Sequence, residues 1–387
     1  GQTMPSKLPR LSAILSVVLL FAASTRAAAQ AIRLLPQPIL TIGAEDRGEP
    51  YMLERVNGAV RLSDGTIFVG NSGTGELRVF DARGTYVKSA SRAGTGPGEF
   101  EQGSPIRPFR LGESAVIADA GSLGRVNRYD VRGNKRPQFV LHSQPQSALS
   151  IIEGAYRNAI LARVTADARL SGAPGQRIAP RFRYSLYDSS GAQTHPLFEL
   201  PTAERVVHTY GGRTRYPWLP FSANPVIAIG AGRVFLIRAG APTIEMWSLD
   251  GKSLGQISWN PTRVRVKDVW SQWRAAELAT ITRQVDREFY TNFWNDHLPL
   301  PEFVPVAEQL HVDPLGRLWV IRPSMPWERS AQCEVLDQAG KIVARLKLPE
   351  RFTVFQVGSD FVLGKGRDAD DVEQVQLYRL EPAARSN

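Results

Sequence analysis

The sequence predicts an all-β fold, a six-bladed β-propeller closed by an N-terminal strand, with a helical insertion between the fourth and fifth blades. Three observations carry that expectation. An alternating strand that ends in an aspartate-glycine turn recurs along the 387 residues. A second hairpin precedes the copies of this strand, so each unit has four strands. The final unit has only three, and a strand near the N-terminus has no partner of its own.

The recurring strand occupies residues 76–84 (ELRVFDARG), 125–133 (RVNRYDVRG) and 184–191 (YSLYDSSG), with shorter echoes at 244–251 and 333–340. In each copy an aspartate (Asp81, Asp130, Asp188, Asp250, Asp337) can bond backbone amides while the following glycine takes a positive φ, the chemistry of a tight hairpin turn. The preceding hairpin is clearest at 60–69, around Asp64 and Gly65, and at 310–320, around Asp313 and Gly316. Blades therefore fall at 56–91, 106–141, 148–198, 224–259 and 305–348, and a partial one at 352–380. The partial unit has strands at 353–357, 361–364 and 375–380. Residues 39–42 supply its missing fourth strand, since closing the ring removes the exposed sheet edges.

The first blade contains Asp64-Gly65, Asn71-Ser72-Gly73, Arg78 to Asp81 in sequence and a Gly94 to Phe100 turn, and in these it resembles an NHL repeat. The stretches 312–320 and 361–380 resemble the NHL-like secreted six-bladed propellers of bacteria. That likeness spans nearly all of the chain after residue 29 and implies the propeller fold. NHL-like propellers include RNA binders, protein scaffolds and a few enzymes, so the resemblance implies no single function.

Composition agrees with a globular protein: 43% hydrophobic and 22% charged residues, with 33 Gly and 27 Pro. The formal net charge is +10, yet 39 of the 47 basic residues are Arg and none gathers into a basic run, so no nucleic-acid-binding tail is present. Cys333 is the only cysteine, which excludes an intramolecular disulfide and Cys-rich zinc sites. Lys7 and Arg10 precede an apolar run at 11–23 and small residues at 24–29. This pattern reads as a Sec-type signal peptide over residues 1–29, cleaved after the Ala27-x-Ala29 pattern. The apolar run is too short for a span, which needs about 20 residues. Removal of 1–29 takes Lys7, Arg10 and Arg26 and leaves a net charge of +7. A periplasmic or secreted protein is expected, with no lipoprotein cysteine and no transmembrane span in the mature chain. The propeller covers 30–382, with the helical insert at 261–303, and 383–387 form a tail.

With strands labelled a to d from the axis outward, the a-b and c-d turns share one face and the b-c and d-to-a connections share the other. All the long inserts (166–180, 199–222, 261–302, 322–330 and 365–371) belong to the second kind. Function concentrates on loops held by a rigid scaffold, so that face is the expected binding surface. The 261–302 insert is helical by period: Val266, Trp270, Trp273, Leu278, Ile281, Val285 and Phe289 recur at three- or four-residue spacing, and Asp268 is placed to open the helix. Its apolar stripe is expected to pack down on the propeller.

One insert gathers Arg205, His208, Arg213 and Arg215 with Tyr210, Tyr216 and Trp218; Arg322, Trp327 and Arg329 repeat the combination two blades on. Guanidinium forks suit anionic groups and flat aromatic faces suit sugar rings. Arg107 joins them at the axis. These residues are the expected ligand-binding set for a non-enzymatic recognition or scaffold propeller, with a protein, glycan or anionic partner and no cofactor; export sets nucleic acid aside. The alternative is a metal-assisted hydrolase or lyase of the propeller lactonase type. There Asn224 and Glu308 are the oxygen donors for Ca²⁺, opposed by the nearby Arg107. No G-x-S-x-G or H-E-x-x-H motif is present, and the histidines at 142, 195, 208, 297 and 311 are scattered.

Overall fold

Six four-stranded antiparallel sheets follow one another around a ring in the computed structural model, which describes residues 32–382 except 44, 121–123, 143–149, 168–169, 239 and 296. The expected signal peptide and the 383–387 tail lie outside the described residues. The six inner strands are Val56–Arg61, Pro108–Leu111, Ser150–Tyr156, Val226–Gly230, Gln309–Val312 and Thr353–Val357. Each touches the next, and the sixth touches the first, so the blades close on themselves. The fold is a six-bladed β-propeller.

Ring closure is the work of the strand Ile32–Ile42, which pairs antiparallel with Glu373–Pro382 as the outer strand of the sixth blade. The strand is longer than the 39–42 expected from the sequence. Its early part was masked by Pro36 and Pro38, which cannot donate to a ladder; here they lie on an outer edge, at the register shifts between Leu34 and Leu40. Ile42, opposite Val375, is fully buried with Val56, Ile67 and Phe80 of the first blade.

Hydrophobic layers between adjacent blades form the core. Phe68, Leu77, Val116 and Tyr129 fill the first interface, and Phe235, Ile237, Leu310 and Leu336 fill the fourth. Trp319, Cys333, Val335 and Val362 fill the fifth. Cys333 is buried, and burial pushes its thiol far above the usual range, so it is unreactive. Gly70 shows how closely blades approach: a Cβ there would stand 2.0 Å from the Ile106 carbonyl oxygen. Four of the five predicted aspartate turns form as expected; in the fifth Ser248 takes the aspartate's place, accepting the Lys252 amide at 3.1 Å, and Asp250 pairs with Lys252 instead. Asp81 Oδ1 accepts the amides of Arg83 and Thr85 at 2.9 and 2.8 Å, and Asp130 and Asp337 repeat the pair of bonds. Gly84 and Gly133 take φ of 75° and 74°.

Side chains also latch blade to blade at the starts of inner strands. Glu373 accepts the Val56 amide at 2.7 Å, Ser72 accepts that of Ile106 at 2.9 Å, and both oxygens of Asp119 accept that of Ile152 at 3.1 Å. The connection from the closing strand to the first blade is held by Arg78, whose side chain is 1% exposed. Its guanidinium donates to the carbonyls of Glu49, Pro50 and Met52 at 2.8 to 3.1 Å and to the carboxylates of Glu49 and Glu76 at 2.8 and 2.6 Å.

The insert between blades four and five holds two helices rather than one, α1 Val266–Thr280 and α2 Gln284–Phe293. The chain turns extended at Ile281 and Arg283, which ends the single period read from the sequence. Asp268 sits in the first turn of α1, where its charge suits the helix dipole, but Arg265 occupies the cap position. Val285 is 50% exposed and leaves the stripe. The remainder packs down as expected: Trp270, Trp273, Leu278 and Ile281 join Phe289, Phe293 and Trp294 over Val206 and Leu219 of the link from blade three. The 365–371 segment is not a long insert, because strand Phe361–Arg367 extends through it and a tight turn at Asp368 returns the chain.

Two outcomes test this architecture. Truncating Ile32–Ile42 uncovers a sheet edge and buried side chains of blades six and one, and loss of a single cooperative urea transition, or aggregation, is expected; an unchanged transition would mean the ring closes otherwise. Replacing Arg78 by Ala leaves two carboxylates and three carbonyls without their donor and is expected to cost roughly 3–5 kcal/mol in urea unfolding. Arg78→Lys recovers only part, since an ammonium has three donors rather than five.

Candidate ligand site

Around the axis the six inner strands enclose a cavity of about 500 Å³. Three inner strands carry a bulge, at Asn57, Glu153 and Phe355, and each bulged residue lines that cavity. Bulges re-aim side chains, and here they aim them at the axis. Arg107 and Glu153 on this wall are each paired, while Glu308 has no ion-pair partner among the described residues. Arg107 lies 3.3 Å from Asp119, and Arg163 lies 2.7 Å from Glu153 on the neighbouring blade. Burial pushes the Asp119 carboxyl up to about 6, against the pull of Arg107 and the Ile152 amide. Burial also lowers His311 to about 4, so its ring, 3.2 Å from Gln309, is neutral at pH 7.

A second cavity of about 300 Å³ opens on the long-loop face, between the link into blade four, helix α1 and the b-c loop of blade five. Pro225, Val226 and Glu308 line both cavities, so the cleft leads to the mouth of the axis. Its apolar wall is Phe221, Trp273, Val304 and Met325. Trp273 is fixed by stacking with Trp270 (centroids 5.6 Å, 17°) and by Trp294 and Phe221, each 5.1 Å away. Glu308 is the only charged residue in the lining. Its backbone amide donates to the Ile321 carbonyl, while its carboxyl, exposed in the cleft, has no hydrogen bond or ion pair among the described residues; partial desolvation by the surrounding walls raises its pKa. A smaller cavity of about 160 Å³ lies beyond Pro323 and Met325, lined by Arg322, Trp327 and Val269.

The residues singled out by sequence divide accordingly. Arg205 donates to the Tyr216 carbonyl at 2.8 Å and lies 3.5 Å over the Trp218 ring, so the pair holds its own loop. His208 meets Asn292 at 3.0 Å and the rings of Phe289 and Phe293, and Arg215 pairs with Asp286 at 3.2 Å. Both dock α2 onto the loop, which becomes a hairpin of His208–Tyr210 and Arg213–Arg215. The Arg cluster does not assemble into one anion cradle, because its acidic partner comes from a helix 71 residues downstream. Arg213 is exposed at the hairpin tip, Tyr216 is half-buried at its base, and Arg322 with Trp327 forms the separate small cavity.

Arg107 serves Asp119. Asn224 accepts the Ala203 amide at 2.9 Å, which commits its carbonyl oxygen to the blade-three link rather than to a cation with Glu308. Among the described residues, no three His, Cys, Asp or Glu side chains converge as metal ligands. Sequence reasoning missed Phe221, Ser324 and Met325 and read Trp273 only as a core position; nothing local in the sequence marks them, since they meet from three separate inserts.

Residues 53–120 match the profile of DUF5128, a six-bladed β-propeller family. A search of curated proteins gives no match. Among solved structures, a Bacteroides fragilis protein superposes with a TM-score of 0.49 at 11% identity, covering 92% of this chain and 96% of that one. A DUF4221-family member from Bacteroides vulgatus gives 0.46 at 11% identity over 92% and 100% of the two chains. The calcium-binding protein regucalcin from Agrobacterium tumefaciens gives 0.39 at 11% identity over 86% and 92%. No helix of the described residues is long and apolar enough to cross a membrane.

Asp119 gives this wall a measurable signature. Its folded-state pKa of about 6 exceeds the unfolded value of about 3.9, so its contribution is present below about pH 4 and is lost as pH rises through about 6. The isosteric Asp119→Asn change keeps an acceptor for Ile152 and is expected to flatten stability between pH 4 and 6. Urea midpoints measured across that interval check it; an unchanged slope refutes the assignment.

Proposed function

We propose that this protein is an exported, non-enzymatic recognition propeller that binds its ligand on the long-loop face, in the cleft leading to the axis. The observation that carries the reading is the continuity of two cavities through Pro225, Val226 and Glu308. A cleft of about 300 Å³ with aromatic walls and few polar groups matches the usual form of a small-molecule site. The walls are fixed by packing within the insert, so the site is formed in advance of binding. Export is supported by the n-region Lys7 and Arg10 and the apolar run that follows. Recognition is favoured over metal-assisted chemistry because Asn224 is committed to Ala203 and Glu308 stands alone as a carboxylate in the cleft.

Cys333 is buried, so an engineered thiol is the sole reactive one. Ser324, exposed in the cleft, is replaced by Cys in one variant, and Arg132, exposed in a turn of the opposite face, in another. Compounds from a library of small fragments are then tested for protection from a thiol reagent. Fragments that protect the Ser324→Cys variant and leave the Arg132→Cys variant unprotected are expected. Equal protection of both, or protection on the opposite face alone, would place binding elsewhere.

A further inference from the structure

The cleft differs in charge from the rest of the protein. The whole chain carries 47 basic against 37 acidic residues, yet no Lys, Arg or His lines the cleft, and its one ionisable group is an acid. Two other carboxylates of this face are paired with arginine: Glu199 lies 2.8 Å from Arg181, and Asp286 is 3.2 Å from Arg215. Glu308 is exposed in the cleft, and among the described residues no cation or hydrogen-bond donor meets its carboxyl, so the group is open to a ligand. A carboxylate among apolar walls favours a ligand that brings the opposite charge and can form a charge-assisted hydrogen bond with it.

The remaining walls fit the same ligand. Trp273 and Phe221 border the cleft with ring centroids 5.1 Å apart and planes at 56°, so two differently oriented aromatic faces meet there. Aromatic faces attract ammonium groups and accept apolar bodies, and Met325 adds a polarizable thioether. Polar capacity is small: Ser222 already accepts the Glu204 amide at 2.7 Å, which leaves Ser324 and the Asn224 amide group to orient a ligand. Several sugar hydroxyls would find few partners, and an anion would face Glu308.

From this arrangement we infer that the cleft takes a small organic ammonium compound, its cation on Glu308 and its apolar or aromatic body against Trp273 and Phe221. The inference rests on the proposed recognition site and adds the ligand's charge and chemical class. Glu308 supplies the counter-charge and Trp273 the principal ring face.

Three probes of similar shape separate the possibilities: phenethylamine, phenethyl alcohol and phenylacetate, each titrated calorimetrically at pH 7.5, with CaCl₂ as a fourth. The amine is expected to bind and phenylacetate not to bind. Glu308→Gln, whose side chain has no contact to lose within the fold, is expected to weaken amine binding by about tenfold or more, the usual scale for a charge-assisted bond. Trp273→Leu is expected to weaken it by roughly 2- to 30-fold, the range for a cation on an aromatic face. As Trp273 also packs against α1 neighbours, its variant is read only if its melting transition stays cooperative, while Glu308→Gln stands as the primary test.

Equal binding of all three aromatic probes would overturn the charge assignment while leaving the recognition site intact, provided they protect the Ser324→Cys variant. Undiminished amine binding by Glu308→Gln would overturn it as well. Glu308-dependent binding of Ca²⁺ with no binding of the amine would replace it by a metal site. Absence of amine binding up to about 10 mM also refutes it, as such an affinity is below that of a weak specific ligand.

Discussion

Every blade of this propeller buries its two faces against neighbours, so the hydrophobic layers exist only while the ring is closed. Closure depends on the pairing of Ile32–Ile42 with Glu373–Pro382, which joins the two ends of the described chain. Without it the sixth blade has three strands and an open edge, and Ile42, Val56 and Phe80 lose the cluster they share with Phe361 and Leu363. Arg78 extends the same constraint into the connecting segment: one buried guanidinium ties Glu49, Pro50 and Met52 to the third strand of the first blade. The closing strand is thereby delivered to blade six in a fixed register, and the seam is held by polar as well as apolar contacts.

A rigid ring lets its connections diverge. Short turns on one face are self-contained, because an aspartate satisfies two amides and a glycine reverses the chain within a few residues. The opposite face receives the inserts, and these contact one another. Arg215 to Asp286, His208 to Asn292 and Arg205 over Trp218 pin a hairpin to α2 and to its own base. Arginine, the dominant cation of this sequence, is therefore used largely as structural glue on that face, through its planar fork and its affinity for aromatic rings. The cleft beside it is conspicuous for lacking arginine.

The proposed site follows from that division. Helix α1 brings Trp273, the link from blade three brings Phe221 and Asn224, and the loop of blade five brings Met325, while Glu308 comes from the start of an inner strand. The scaffold contributes position and the inserts contribute surface. The aromatic cluster beneath α1 anchors it and so supports the cleft wall.

The sequence by itself determined the architecture: the aspartate-glycine turns at Asp81, Asp130 and Asp337, the period-two strands between them and the unpaired strand near the N-terminus define blades, number and closure. Those signals are local, and each is set by backbone geometry within a few residues, so they are legible one segment at a time. The sequence also placed the long inserts on one face, because strand order alone fixes which connections share it. What it left open was which side chains of those inserts meet. Arg205, His208 and Arg215 look like a ligand cluster when read along the chain, but Trp218, Asn292 and Asp286 engage them in the folded state. Trp273 looks like a core position, but it also lines the cleft. Such pairings join residues far apart in sequence, and their energies depend on distance and burial, quantities that only the tertiary structure decides.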